Sequence, residues 1–341
     1  MRLIDEGKKS QGVPMKAFVC TEFGPVDNCG VQEIEARSPE KDQILIEVKS
    51  ASLNFPDALM VEGRYQVKPP LPFSPGMDLA GIVRQVGDGV THVAPGDRVI
   101  AFSGVGAFAE MCLAAKDKVV PMPEGMSFDA AAAFGITYAT AIHAFKECGR
   151  LLPNETVLVL GAAGGVGIAA IEVAKAMGAY VIAAASTDEK LALCSEKGAN
   201  ATINYSQENL RARTLELTNG KGVDVVFDPV GGDYSMDAFR ATAWGGRLLV
   251  VGFAAGDIPK IPLNYALLSE RAIVGVFWGA WAARDGEGQR SNMKTMARWF
   301  KEGQINPVID STISLAQIPE AMKRLTSRQV KGKVVVRIGR D

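Results

Sequence analysis

Apolar and polar positions along the chain follow two rhythms, and the change between them falls near Pro153. From Met15 to about residue 120, short β-type runs (Lys16 to Cys20, Gln43 to Lys49, Leu79 to Val86, Arg98 to Ala101, Ala107 to Leu113) are separated by turns such as Ala94-Pro95-Gly96-Asp97. Residues 1 to 14 are polar and patternless and read as a disordered tail. Between Ser127 and Cys148 the pattern is helical and Ala-rich, with Ser127 expected to open the helix and Gly149 to stop it. After Pro153, the apolar runs Thr156 to Leu160, Tyr180 to Ala184, Val223 to Phe227 and Arg247 to Val251 suit strands covered on both faces. They alternate with amphipathic stretches, which predicts βαβ units around a parallel sheet. In one such stretch, Gly165 to Met177, helical spacing places Ile168, Ile171 or Ala170, Ala174 and Met177 against the strands. Beyond residue 282 come two helical segments, Met293 to Glu302 and Ile318 to Thr326, and a last alternating strand, Lys333 to Ile338. The opening β region lacks an obvious closing element, so the C-terminal segment is expected to return to it.

Composition narrows the class. At 341 residues, 48% hydrophobic and 22% charged, the chain is globular and long enough for two ordinary domains. Its 37 basic and 38 acidic residues leave a net charge of −1, which argues against a broad nucleic-acid or anionic-membrane surface. No apolar run reaches the roughly 18 to 20 residues of a membrane span, and the first ten residues lack the apolar stretch of a secretory signal, so a cytoplasmic protein is expected. The five cysteines are scattered without a C-x-x-C pair, so neither a disulfide framework nor a clustered zinc site is suggested; they are expected to be reduced and mostly buried. Two histidines, His92 and His143, leave a transition metal almost without imidazole ligands, and both read as structural.

The strongest chemical signal is Val157-Leu158-Val159-Leu160 running into Gly161-Ala162-Ala163-Gly164-Gly165-Val166-Gly167 and then a helix. That is the strand, turn and helix context of a dinucleotide fingerprint. Glycines permit the tight turn and the approach of a pyrophosphate, and free N–H groups at the helix start offer it partial positive charge. The competing reading is a glycine turn that only packs a helix on a sheet. Nineteen residues after Gly167 stands Ser186, where an acidic residue would bind the adenosine ribose 2′-OH, and Lys190 follows four residues later. A hydroxyl with a nearby ammonium favours the 2′-phosphate of NADPH. Against this, Ser186 and Lys190 also read as an N-cap and a solvated lysine, and an inward Asp188 would favour NADH.

The set Asn54-Phe55-Pro56-Asp57, Pro75-Gly76-Met77-Asp78-Leu79-Ala80-Gly81 and Gly161 to Gly167 resembles the medium-chain dehydrogenase/reductase superfamily, from about residue 15 to the end. Within it the chain looks like the zinc-independent quinone oxidoreductase branch, similar to zeta-crystallin. The resemblance implies an α/β protein with a GroES-like β-rich catalytic domain over residues 15–139, completed by 283–341. Beside it would lie a Rossmann doubly wound parallel-sheet domain over 140–282, and the whole would form a homodimer. Met77 stands where zinc-dependent relatives carry a histidine, Asn54 lies in the segment that would carry a cysteine, and the four-cysteine lobe is missing. No metal is therefore expected.

Without a Lewis acid, alcohol oxidation at neutral pH is hard, whereas reduction of an electron-poor acceptor is feasible. The resemblance thus implies hydride transfer from NADPH to quinone-like or enone acceptors, with hydrogen-bond donors for the oxygen that gains charge. Tyr65 matches a tyrosine that lies near nicotinamide and acceptor in this branch; alternatively it only packs its loop. Asn54 reads equally as a donor to acceptor or ribose and as a chain-turning residue. Thr137 resembles a position close to the nicotinamide, with helix back-bonding as the other reading. The implied cofactor walls are the turn residues Gly161, Ala163, Gly164, Gly165 and Val166; Ser186, Lys190 and Tyr205; the strand end Val251-Gly252-Phe253; and Phe277-Trp278-Gly279, whose aromatic rings read equally as core packing. Asp228 to Gly232 ends a further strand on that edge. Arg328 and Lys333 either close over the cofactor phosphate or form a solvated basic turn. Two rivals stay open: an NADPH-dependent carbon–carbon double-bond reductase acting on acrylate, acryloyl thioester or alkenal, and an NADPH-binding sensor without turnover.

Overall fold

The computed structural model describes residues 13–339. Most of the predicted tail, residues 1 to 12, lies outside them, while Val13 and Pro14 already belong to the first strand. The chain forms two compact units. One runs to Met122 and takes back Ile313–Met322 and the chain from Val336; the other comprises Pro123–Thr312 and Lys323–Val335.

The first unit holds β1 (Val13–Val19), β2 (Gly30–Ala36), β3 (Gln43–Ser52), α1 (Phe55–Val61), β4 (Asp78–Val86), β5 (Arg98–Phe102), β6 (Met111–Ala115) and β7 (Val119–Pro121). β1 and β2 form an antiparallel ladder from Val13↔Ala36 to Val19↔Gly30. β3 pairs antiparallel with β4 and with β6, β4 with β5, and β5 with β7. Alternate residues of β3, Ile44, Ile46 and Val48, are wholly buried, as the period of two requires of a strand with one face on a core. The predicted strand from Ala107 begins only at Met111. Ala107 and Phe108 instead seal the turn at Gly76, where a Cβ would stand 2.7 Å from the Phe108 ring. The expected return of the C-terminus is seen where the Ile338 N–H donates to the Lys49 carbonyl at 3.0 Å.

The second unit opens with α2 (Phe128–Ile142), whose Ser127 cap accepts the Ala130 N–H at 3.2 Å. The predicted helix changes pitch after Ile142 into a π-helical segment, His143–Cys148, before stopping at Gly149. There follow β8 (Thr156–Val159), α3 (Gly165–Ala176), β9 (Tyr180–Ala185), α4 (Asp188–Glu196), β10 (Ala201–Asn204), α5 (Leu210–Leu217), β11 (Val223–Asp228), α6 (Gly232–Arg240) and β12 (Thr242–Val250). Next are α7 (Asn264–Leu267), β13 (Ala272–Gly275), α8 (Trp278–Arg284), α9 (Gly286–Lys301) and β14 (Ile309–Ile313). α10 (Ile318–Thr326) and β15 (Lys333–Arg337) straddle the division between the units. The six strands β8 to β13 form a sheet in the order β10-β9-β8-β11-β12-β13, with parallel pairing throughout. Counted from β8 this is the order 3-2-1-4-5-6 of a Rossmann sheet. Val157 to Val159, Val181 to Ala184 and Val225 to Phe227 are fully buried, as strands covered on both faces must be.

The boundary near 139 expected from sequence falls instead at Met122, and α2 goes with the sheet unit. The reason is a buried polar anchor: the Tyr138 hydroxyl on α2 donates to the Glu172 carboxylate on α3. Glu172 also accepts Lys197 Nζ at 3.0 Å and the Asn306 N–H at 3.1 Å. Burial pushes its carboxyl above the usual range even though these donors oppose the shift. All of 283–312 likewise stays with this unit. Among the described residues no helix is long and apolar enough to cross a membrane.

A second anchor is the Arg247 guanidinium on β12. It forks onto Glu155 at 2.7 and 2.6 Å and donates Nε to the Gly149 carbonyl at 2.6 Å. Burial alone would raise the Glu155 carboxyl, but Arg247 and the Leu152 N–H hold it below its ordinary 4.5. A depressed carboxylate contributes stability above its unfolded pKa and loses it as pH falls through the folded value. Glu155→Gln is therefore expected to lower unfolding stability by about 1 to 3 kcal/mol near neutrality. Denaturant titrations of variant and parent should converge as pH drops below about 4.5.

Candidate active site

The glycine turn is built by approaches that side chains would block. β8 leads through Leu160 to Gly161, which turns the chain at φ +56°. A Cβ on Gly167 would stand 2.4 Å from the Gly161 carbonyl oxygen and 2.7 Å from that of Ala162, so only glycine lets α3 start against the strand end. Gly164 is the N-cap of α3, and its nearest neighbour to an added Cβ is the Gly161 oxygen at 3.4 Å, so this flank is open. Gly165 and Val166 follow, half-buried, at the start of α3. Ala163 differs from the other predicted turn residues. It is buried, and its carbonyl accepts the Gly332 N–H at 2.8 Å, so it supports the turn from behind.

Gly332 brings with it Lys333, which is only 5% exposed and therefore no solvated basic residue. The Lys333 stem lies where a Gly165 Cβ would be, 2.6 Å from its Cδ. Thr137, Gly165, Pro307 and Lys333 share a narrow crevice there. The Thr137 hydroxyl donates to the Ala133 carbonyl at 2.9 Å, back-bonding its own helix, and the residue lies on the crevice wall.

At the end of β9 the structure gathers Ser186, Lys190, Tyr205 and Arg328. Lys190 Nζ donates to Ser186 Oγ at 3.3 Å and to the Arg328 carbonyl at 2.8 Å, and the Tyr205 hydroxyl shares a hydrogen bond with Ser186. Lys190 is only half-exposed, and burial first, then the Arg328 charge, pull its pKa below the ordinary lysine value. Thr187, rather than Ser186, caps α4, accepting the Lys190 N–H at 3.3 Å. Asp188 is bound by the Asn204 amide at 2.7 Å, and Glu189 pairs with Lys331.

The further strand ends separate into support and surface. Asp228 is buried and accepts the Val230 and Gly231 N–H groups at 2.9 Å each, as well as the Ser235 hydroxyl. Its own carbonyl accepts from Val251 at 2.9 Å and Gly252 at 3.3 Å. Phe253 and Phe277 are exposed, at 36% and 63%. Trp278 is not a comparable surface: it is buried, with its indole N–H on Gln289 at 2.8 Å, linking α8 to α9. Gly279 has open space around it.

In the first unit, Asn54 caps α1. Its N–H donates to Asp57 Oδ2 at 2.7 Å and its amide to the Ser52 carbonyl at 3.3 Å, which is the geometry of the turning role. Tyr65 follows the same helix, with its N–H on the Leu59 carbonyl at 3.1 Å. Burial, and then the Asp57 charge, raise the Tyr65 phenol above its usual pKa, which leaves a neutral O–H donor. Met77 is buried and Asp78 accepts the Ser52 hydroxyl at 3.4 Å. A thioether and an amide already bonded to a carbonyl do not fit a Zn²⁺ site, and no group of three or more His, Cys, Asp or Glu among the described residues could hold a metal. His92 contacts the Val119 carbonyl at 3.1 Å and His143 stacks on Trp281 at 4.4 Å, so both are built into packing.

Comparison with known proteins places this arrangement. The alcohol dehydrogenase GroES-like domain matches residues 40–124 and the zinc-binding dehydrogenase family matches residues 165–302. Quinone oxidoreductase-like protein 2 of Rattus norvegicus is 37% identical over 335 residues, covering 98% of this chain and 95% of the relative. The chain belongs to the quinone oxidoreductase family of medium-chain dehydrogenases/reductases. Quinone oxidoreductase of the same organism is 33% identical, over 94% of this chain and 97% of its own. The crystal structure of Escherichia coli quinone oxidoreductase complexed with NADPH matches with a TM-score of 0.88 at 28% identity, covering 95% of this chain and 99% of that one.

As a medium-chain dehydrogenase/reductase the protein is an oxidoreductase with a GroES-like unit and a Rossmann unit. Reasoning from sequence missed the Asp228 carboxylate as the hub of its turn. The Asp-Pro-Val-Gly-Gly run was its signal, a short acidic side chain followed by backbone that needs N–H acceptors. The two backbone demands of the turn can be separated by substitution. Gly167→Ala is expected to lower unfolding stability by about 1 to 3 kcal/mol, because backbone must move. Gly164→Ala, at φ −75° with no close neighbour, should stay within about 0.5 kcal/mol of the parent in the same denaturant titration.

Proposed function

We propose that the protein is an NADPH-dependent, metal-free reductase of quinone-like acceptors. The observation that carries the cofactor choice is the cluster at the end of β9. A hydroxyl and a half-buried ammonium meet where a carboxylate would otherwise take the ribose, the Arg328 charge is close enough to act on that ammonium, and the acidic neighbours Asp188 and Glu189 are held by Asn204 and Lys331. Such a set suits the 2′-phosphate, in line with the NADPH in the E. coli relative. The glycine turn and the α3 start would receive the pyrophosphate, with Lys333 beside them.

When bound, a reduced nicotinamide supplies the hydride. The residues of this chain then need only hold the acceptor and stabilise the oxygen on which charge develops. Tyr65, neutral over the whole physiological range, can donate its O–H to that oxygen. Asn54 and Met77 offer no replacement for a metal Lewis acid, which favours reduction of an already electron-poor acceptor over oxidation of an alcohol. For the quaternary state we propose a homodimer: β13 is an exposed edge strand, and the segment preceding it in the chain exposes Leu263, Leu267 and Leu268, features suited to a second copy.

Two measurements test this reading. NADPH oxidation is expected with a panel of quinones, unchanged after chelator treatment, with no stoichiometric zinc by elemental analysis. Turnover of enones or acrylates with every quinone inert would move the substrate class to double-bond reduction, and tight NADPH binding with no acceptor turned over would make the protein a sensor. Lys190→Ala should weaken NADPH binding by about 1 to 3 kcal/mol, the range of a charge-assisted bond, while leaving NADH nearly unchanged. Equal losses for both coenzymes in a titration would refute the phosphate assignment.

A further inference from the structure

The cysteines that are scattered in sequence include one pair that the first unit brings face to face. The β1–β2 ladder ends at Val19↔Gly30, so one more step along both strands sets Cys20 opposite Cys29. Cys20 turns its own backbone the other way: its N–H and C=O bond to Phe73 at 2.8 and 3.1 Å. Across from Cys29 it therefore occupies a non-hydrogen-bonded cross-strand position, where Cα atoms approach to about 4.5 Å and side chains stand on the same face. That spacing lies at the short end of the roughly 4.4 to 6.8 Å that a disulfide spans. Cys29 is extended, at φ −100° and ψ 152°, which continues the strand geometry. The two thiols lie within hydrogen-bonding reach of each other, and Cys20 Sγ also donates to the Glu22 carbonyl at 3.1 Å.

Both sulfurs are buried beneath the largely exposed loop 21–28. That loop leans on the turn preceding Tyr65. Gly24 donates to the Val61 carbonyl at 3.0 Å, the Phe23 ring lies 3.2 Å from where a Gly63 Cβ would stand, and Phe23 meets Phe73 at 6.2 Å between ring centroids.

We infer that Cys20 and Cys29 form a reversible disulfide on exposure to a hydroperoxide, cross-linking both ends of the loop that supports the Gly63–Tyr65 turn. One sulfur attacks a peroxide oxygen, the O–O bond breaks, and a sulfenic acid and the first water or alcohol form. The second thiol then displaces the hydroxyl as water, its proton leaving with it, and the S–S bond closes. Two thiols lose two electrons and two protons, and the peroxide is reduced by the same two electrons. Burial, the largest influence, holds Cys29 at about 12 and raises Cys20, so thiolate is scarce and the reaction is slow until the loop opens. A dithiol reductant reverses it by exchange.

The test treats the whole protein with hydrogen peroxide, blocks remaining thiols with N-ethylmaleimide in denaturant and digests with trypsin. Lys16 and Arg37 flank both cysteines, so peptide 17–37 carries the pair. The expected product is this peptide two hydrogens lighter than its reduced form and without maleimide, restored by dithiothreitol before blocking. Cys148, the one cysteine that is not fully buried, serves as the internal control for oxidant exposure. Peptide 17–37 carrying two maleimides after Cys148 has been oxidised, or linked instead to another cysteine peptide, would overturn the inference. Cys29→Ser should abolish the lighter species and leave Cys20 blocked or as a sulfenic acid; a lighter species persisting in that variant would equally overturn it.

Discussion

The seating of α3 on the end of β8 is the constraint from which the glycine turn and its surroundings follow. Gly167 lets the helix backbone lie against the Gly161 and Ala162 carbonyls, at distances no side chain tolerates. The turn's inner polar groups are then taken: Ala162 donates to Ala184, Gly164 to Gly161, and Ala163 accepts from Gly332. Buried backbone groups must be paired, so what the turn presents outward is the unspent N–H set of a twelve-residue helix. A positive helix start is thus a consequence of packing, and the C-terminal Gly332–Lys333 segment is held against it by the bond from the Gly332 N–H to the Ala163 carbonyl.

How much of this is legible in sequence depends on the range over which each constraint acts. The β8 strand, the turn and α3 are contiguous, and glycine spacing there encodes a backbone requirement, so their form was readable. The fully buried strands of the sheet were readable for the same kind of reason. The placement of Lys333 was not, because it reaches the turn from more than a hundred residues away through Gly332 at φ +76°, and Arg328 comes to Lys190 across 138 residues. Hydrophobic pattern gives a strand its faces but not its partner, which is why Cys20 and Cys29 look unrelated until the hairpin register is known. Thr137 and Trp278 show a different limit. Their side chains read from sequence equally toward a cofactor or toward packing, and only the fold shows that one bonds its own helix and the other Gln289.

The charges around Ser186 are arranged with an energetic bias of their own. Lys190 is penalised by burial and by Arg328, while the nearby acidic groups are directed to other partners. A cation held under these conditions gains more from an incoming dianion than an exposed lysine does, since the ligand relieves an existing repulsion as well as forming a new attraction. A carboxylate in place of Ser186 would cancel that bias by neutralising the cluster from within.

The same logic of a fixed neighbouring charge governs Tyr65. Asp57 is fully buried and its carboxylate is engaged in capping α1, so it is poorly placed to act as a base. What its charge does is disfavour a second anion nearby, and together with burial this keeps the Tyr65 phenol protonated. A phenol that resists losing its proton is ill suited to accept one from an alcohol, the step an oxidation without metal would demand. Under the function proposed above, it is well suited to hydrogen-bond to an oxygen that becomes negative as hydride arrives.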